Sequence, residues 1–351
     1  MSAGRFYVYV SEHASKQISV LQLDPDSGAL TPIQQISATG KVMPMAISPD
    51  RRFLYAALRN QPWSFATFAI DGSSGRLTHL GNTLAHESMV NIVTDRTGRF
   101  MIAANNPKRE QRTGILTVFA IGPQGFVQEG CDMVRTPPKL HSVIPDPTNR
   151  FIFGASCDGD AIVRHRFDAV TGALDLEPLS PIMVEPGRGP RHLRFHPSGR
   201  FLYVVNEYDA SVCAFRYHPQ SGMLSEIQIA DAKPDGFEPV DQHSKAGAGG
   251  SDLHCTPDGK WLYVSVRGSL TIAAFRVDPA TGRLTNAGHF PAPADPRGFA
   301  IDPFGRFLLA AGDVSGNLVV YRIDGASGAL DQLAEYSVGD GPNWVECVRL
   351  P

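Results

Sequence analysis

Arg191, His192 and Glu207 mark the two ends of one stretch, GRGPRHLRFHPSGRFLYVVNE (187–207). A guanidinium grips anions and stabilises an oxyanion, and an imidazole or carboxylate moves a proton. Together they suit the grip of an anionic group and a proton transfer beside it. The middle of the stretch, HPSGRFLYVVN, has relatives elsewhere in the chain, but its ends do not. Arg191 and Glu207 would also fit a structural ion pair, which alone says little about function.

The repeated part defines the scaffold. A turn, a basic residue, an aromatic and an apolar run recur as SPDRRFLYAAL (48–58), TDRTGRFMIAAN (94–105), PDPTNRFIFGAS (145–156), HPSGRFLYVVN (196–206), TPDGKWLYVSV (256–266) and DPFGRFLLAAG (302–312). A seventh copy, GRFYVYVS (4–11), lacks its leading half. A second motif, of the SGALT or TGRLT type, falls between the copies, with GPQGFVQ (122–128) in the one gap. Each unit carries four β-branched and aromatic runs broken by Gly, Pro, Asp and Ser. Four strands at a period near 46–51 residues is the pattern of a propeller blade. The expected fold is all-β: a seven-bladed β-propeller with four antiparallel strands per blade, in one domain over residues 1–351. GPNWVECVRL (341–350) resembles an orphan first strand, so the two termini should complete one blade and hide two open edges.

Within a blade, Ser198-Gly199 reads as a two-residue turn, a register that sets Arg191 opposite Asn206. The start of the first strand and the end of the second then meet on the face away from that turn. Ten residues before each motif aromatic stand Met43, Val90, His141, Arg191, Ser251 and Arg297, with Asn343 on the closing strand. Six residues after it stand Glu12, Arg59, Asn106, Cys157, Glu207, Arg267 and Asp313. A purely structural repeat would make these rings uniform. They differ in every blade, which points to an asymmetric site at one mouth of the channel.

Composition narrows the classes. A formal net charge of −3 disfavours generic binding to nucleic acid or an anionic membrane. Five scattered cysteines without CxxC suggest reduced thiols in the cytoplasm. The N-terminus has no signal-peptide pattern, and no apolar run is long enough to span a bilayer. There is no GxSxG elbow, phosphate loop, dinucleotide fingerprint or zinc spacing, so neither cofactor nor metal is expected. His196 fits a turn residue and His254 a buried, hydrogen-bonded one. GAGG (247–250) reads as a hinge, and Cys157 as an inert thiol. Lys108, Arg109 and Arg112 form a solvated basic loop, and residues 230–250 are the main insertion.

LHSVIPDP, GPRHLRFHPSGRFLYVVNE, SDLHCTPDGKWLYVSVRGSL, DPRGFAIDPFGRFLLAAG and VGDGPNWV resemble segments of the bacterial propeller-type 6-phosphogluconolactonases, a family related to the carboxy-cis,cis-muconate cyclases. The resemblance spans nearly the whole chain. It implies a metal-independent enzyme acting on lactones, with His141, Arg191, Glu207 and Arg267 as the catalytic set. Arg297, Arg59, His192, Asn343 and Asn91 are the accompanying candidates for substrate binding. Glu207 or His141 would be the base, and Arg191 or Arg267 would stabilise the oxyanion. The leading substrate is 6-phosphogluconolactone. A muconate-type cycloisomerase, a lactonase for an unphosphorylated sugar acid and a non-catalytic binding scaffold are the competing readings. The small-molecule lactone is the one partner expected, and monomer and homo-oligomer stay open.

Overall fold

The computed structural model describes residues 4–106, 113–175, 179–237 and 248–351. Local turn chemistry builds each blade. In the SGxL-type turns an aspartate accepts from the backbone three residues on: Ser27 N to Asp24 at 2.8 Å, Ser74 N to Asp71 at 2.8 Å, Thr281 N to Asp278 at 2.8 Å and Ser327 N to Asp324 at 3.0 Å. The turn glycine then takes a positive φ, +68° at Gly75, where a Cβ would also run into the Tyr7 ring. The two repeated motifs are joined by contact between blades. Tyr9, Tyr203 and Tyr263 donate their hydroxyls to the turn carbonyls of Gly75, Gly282 and Gly328 in the next blade, at 2.9, 3.0 and 2.9 Å.

Strands are numbered in chain order from β1 (Arg5–Glu12) to β28 (Pro342–Leu350). They form seven four-stranded antiparallel sheets, the seven blades of the expected propeller. The closing blade runs β28, β1, β2 (Gln17–Leu23), β3 (Leu30–Ser37), so the chain's two ends share a sheet as expected. Val8 pairs with Cys347 and Arg5 with Leu350. The second strand of each other blade, for example β17 (Phe201–Asn206), is buried at every residue. Sheets cover both of its faces, which is why its sequence does not alternate.

The first strands line the channel: β4 (Val42–Ile47), β8 (Met89–Thr94), β12 (Leu140–Pro145), β16 (Pro190–Phe195), β20 (Gly250–Cys255), β24 (Pro296–Ile301) and β28. The expected register holds from Phe195↔Leu202 to His192↔Val205, then slips: Pro190, not Arg191, faces Asn206. The same slip at the same level leaves Val90, His141, Arg297 and Asn343 unpaired. In β4 and β20 it is wider and includes Met43 and Ser251. All seven residues of the first ring are therefore bulge residues. A β-bulge frees one residue from the ladder and re-aims its side chain.

One sequence reading in the loops needs correction. GAGG is no hinge over its described part: Ala248, Gly249 and Gly250 are buried. Ala248 N donates to Tyr208 O, and Gly249 O accepts from Arg267 N at 2.9 Å. Lys108, Arg109, Arg112 and residues 238–247 of the insertion lie outside the described residues. His196 is a turn residue as read, with Nδ1 2.7 Å from Ser198 Oγ and Nε2 2.9 Å from Gly259 O.

Candidate active site

Bulges and strand ends deliver side chains from several blades to one mouth. Neighbouring strands are stitched there, with Ser142 Oγ donating to Arg191 O and Ser251 Oγ to Arg297 O, both at 2.7 Å. Arg191 Nη1 reaches Ser251 O at 2.5 Å.

Glu207 follows β17 directly and is the electrostatic hub. Its Oε1 lies 3.1 Å from Arg267 Nη2, and its Oε2 lies 3.1 Å from Lys139 Nζ and 4.0 Å from Arg191 Nε. Burial pushes the carboxyl's pKa up, but Arg191, Lys139 and Arg267 outweigh burial and hold it at about 2. Cys157 donates its thiol to Glu207 Oε2 at 3.4 Å. Burial and the adjacent carboxylate hold that thiol well above its ordinary value, so it stays protonated.

Sequence reasoning missed Lys139. It precedes β12, outside both rings, at a φ of +55°. Its ammonium also meets Tyr208 Oη at 3.2 Å and lies 5.0 Å from the centre of the Tyr208 ring. The two residues before each bulge were the place to look for such a group.

Behind Glu207 the channel narrows to a cavity of about 30 Å³ whose lining includes Arg59, His141, Arg191, His192, Arg297 and Asn343. The rings of His141 and His192 are 5.3 Å apart between centroids. Burial lowers the pKa of His141 well below its ordinary value, and Arg191 and His192 add to this. Burial also lowers Arg191, to about 10, so it remains a cation at neutral pH. Arg297 Nη1 stands 3.4 Å from Asp313 Oδ2. Arg59 donates only to Ser88 Oγ at 3.1 Å and Met43 Sδ at 3.5 Å, with no carboxylate partner among the described residues. Trp344 lines this cavity and a second one of about 470 Å³ toward the opposite mouth, so it stands between the two.

Eight of the nine candidate residues thus gather around the mouth or the cavity behind it. Asn91 does not belong with them. Its Oδ1 accepts from Val143 N at 3.0 Å, tying β8 to β12, and it lines neither cavity. The bulge points Val90 toward the mouth and leaves Asn91 in the ladder opposite Ala104. His254 is hydrogen-bonded as read, 3.1 Å from Asp252 Oδ2, but it is half-buried rather than buried.

Arginines, histidines and one clamped carboxylate from several blades converge on a single mouth of the propeller, as an enzyme's pocket does. The chain belongs to the lactonase family of seven-bladed β-propellers, whose model matches residues 7–347. It is a carboxylic-ester hydrolase of the lactonase type. A 6-phosphogluconolactonase of Pectobacterium carotovorum is 36% identical over 343 residues, covering 98% of both chains. One of Xenorhabdus nematophila is 36% identical over 343 residues, covering 98% of this chain and 99% of its own. The structure of a periplasmic gluconolactonase of Pseudomonas aeruginosa superposes with a TM-score of 0.87 at 26% identity, covering 99% of this chain and 100% of that one.

Proposed function

We propose that this lactonase hydrolyses 6-phosphogluconolactone to 6-phosphogluconate. The observation that carries the reading is Arg59, a guanidinium with no carboxylate partner among the described residues that lines the same cavity as Arg297. Such a pair calls for an anion, and arginine's planar fork matches phosphate oxygens. Relatives at about one-third identity that bear the name 6-phosphogluconolactonase support the same substrate.

In this reading Arg59 and Arg297 hold the phosphate, and Arg191 faces the lactone carbonyl as charge develops on its oxygen. Glu207, ionised and clamped, orients Arg191, Lys139 and Arg267 rather than taking a proton; a carboxylate held at about 2 is a poor base near neutrality. A buried water supplies the nucleophile, the ring ester opens, and the acid leaves as a second anion. Five free cysteines accord with a reducing compartment, and we place the activity in the cytoplasm.

The periplasmic gluconolactonase named above supports a second reading, an unphosphorylated sugar lactone. Initial rates on 6-phosphogluconolactone, gluconolactone and carboxymuconolactone, with spontaneous hydrolysis subtracted, separate the candidates. The phosphorylated lactone is expected to give the highest kcat/KM. A higher value on either of the others would overturn the assignment.

A further inference from the structure

Asp252 on β20 bridges two imidazoles. Its Oδ1 lies 2.8 Å from His192 Nδ1 and its Oδ2 lies 3.1 Å from His254 Nε2. Burial raises the Asp252 pKa, but the histidines and their hydrogen bonds outweigh burial and hold it well below the usual carboxylate range. An ionised carboxylate only accepts, so His192 carries its proton on Nδ1 and presents a lone pair at Nε2. That Nε2 is buried with no hydrogen-bond partner among the described residues.

On residues that line the same cavity, three more polar atoms share this condition: His141 Nδ1, Arg191 Nε and Asn343 Nδ2. All four residues line the cavity of about 30 Å³, a size that suits one or two waters. The arrangement is a lone pair fixed by a carboxylate beside a water-sized space and a guanidinium. Glu207 lacks this geometry because three cations occupy it. His141 lacks it because no carboxylate orients its ring among the described residues.

We propose that His192, held in one tautomer by Asp252, is the general base that activates the water attacking the lactone carbonyl, with Asp252 as its positioning residue. This rests on the lactone-hydrolysis reading above. Water oxygen bonds to the carbonyl carbon as its proton passes to His192 Nε2, and the carbonyl oxygen becomes an oxyanion against Arg191. When the oxyanion collapses, the ring C–O bond breaks. The departing alkoxide takes the proton back from the imidazolium, which leaves His192 neutral. The new acid then loses its proton to solvent.

The groups around the His192 ring are Arg191 and Arg194 on its own strand, His141 from β12, Asp252 and His254 from β20, and Trp344 from β28. Burial and Arg191 lower the His192 pKa to about 4 in the free enzyme, with Asp252 opposing them. An anion bound against Arg191 offsets that guanidinium and makes His192 more basic when substrate is present. Substrate recognition and base strength are thereby coupled.

The test combines kinetics with ring-nitrogen NMR. In the unsubstituted enzyme at pH 7, His192 is expected as the Nδ1–H tautomer, and an Nε2–H tautomer would overturn the proposal whatever the variants do. His192→Gln is expected to lower kcat by about 10²–10⁴-fold. Asp252→Asn should lower kcat with KM changed by less than about threefold, because an amide that donates to Nδ1 moves the proton to Nε2. It should also displace the acid limb of kcat/KM, expected near pH 4 in the unsubstituted enzyme. Melting curves establish that both variants fold. His192→Gln with unchanged kcat, beside an active unsubstituted enzyme, sinks the base assignment alone. Absence of lactone hydrolysis in the unsubstituted enzyme overturns the substrate reading and its base together.

Discussion

Lys139 Nζ stands 3.1 Å from Glu207 Oε2, linking the residue just before β12 in one blade to the end of β17 (Phe201–Asn206) in the next. This contact decides what Glu207 is. With Lys139, Arg191 and Arg267 around it the carboxylate is a fixed anion, and a fixed anion positions cations.

Glu207→Gln should therefore weaken fold and activity together. It leaves three cations around a neutral amide, and removing one partner of a buried ionic cluster typically costs about 3–5 kcal/mol. The expected result is a clearly lower Tm with a reduced kcat/KM, measured by thermal melting and initial rates.

The same carboxyl makes a prediction about acid. Its folded pKa of about 2 lies below the ordinary 4.5, so its stabilisation is present above pH 4.5 and is lost as pH falls toward 2. Denaturant melts across that range should show stability falling more steeply in the unsubstituted protein than in Glu207→Gln.

Arg59→Gln isolates the phosphate grip. The side chain holds no carboxylate among the described residues, so the fold should be little affected. KM for 6-phosphogluconolactone should rise about tenfold or more, the loss of one charge-assisted contact. Hydrolysis of unphosphorylated gluconolactone should change little, and equal losses on both would place Arg59 elsewhere in the reaction.

Glu346, beside the channel's opposite mouth, accepts from Trp344 Nε1 at 2.8 Å, and burial raises its pKa from 4.5 to about 7. The sign is opposite to that of Glu207. The unfolded chain ionises first, so stability present below pH 4.5 is lost as pH rises to 7. Glu346→Gln should raise Tm at pH 8 and leave it unchanged at pH 4, as read by melting curves at the two values.

Tyr203→Phe probes the scaffold alone. It removes the donor to Gly282 O between two blades and strands a buried carbonyl, for a loss of about 1–3 kcal/mol. Lactonase rates at low temperature should match those of the unsubstituted enzyme.

The seven-fold architecture and most of the mouth were legible in the residues, because turns and buried strands are local codes. Aspartates cap their own turns, glycine supplies the positive φ, and an all-apolar run announces a strand covered on both faces. Arg191, Glu207 and Arg267 stood out because they broke an otherwise uniform repeat. Asn91 was misplaced, and Lys139 and Asp252 were not singled out. Their roles depend on which residue the bulge frees and on what the neighbouring blade brings, and no spacing within one repeat encodes either. Sequence alone determined the blade, its count and the closure of the ring. Tertiary structure decided the chemistry: packing seven bulged strands around one channel sets an aspartate from one blade against a histidine from the next. A carboxylate or imidazole has no assigned proton until its partner across the interface is in place.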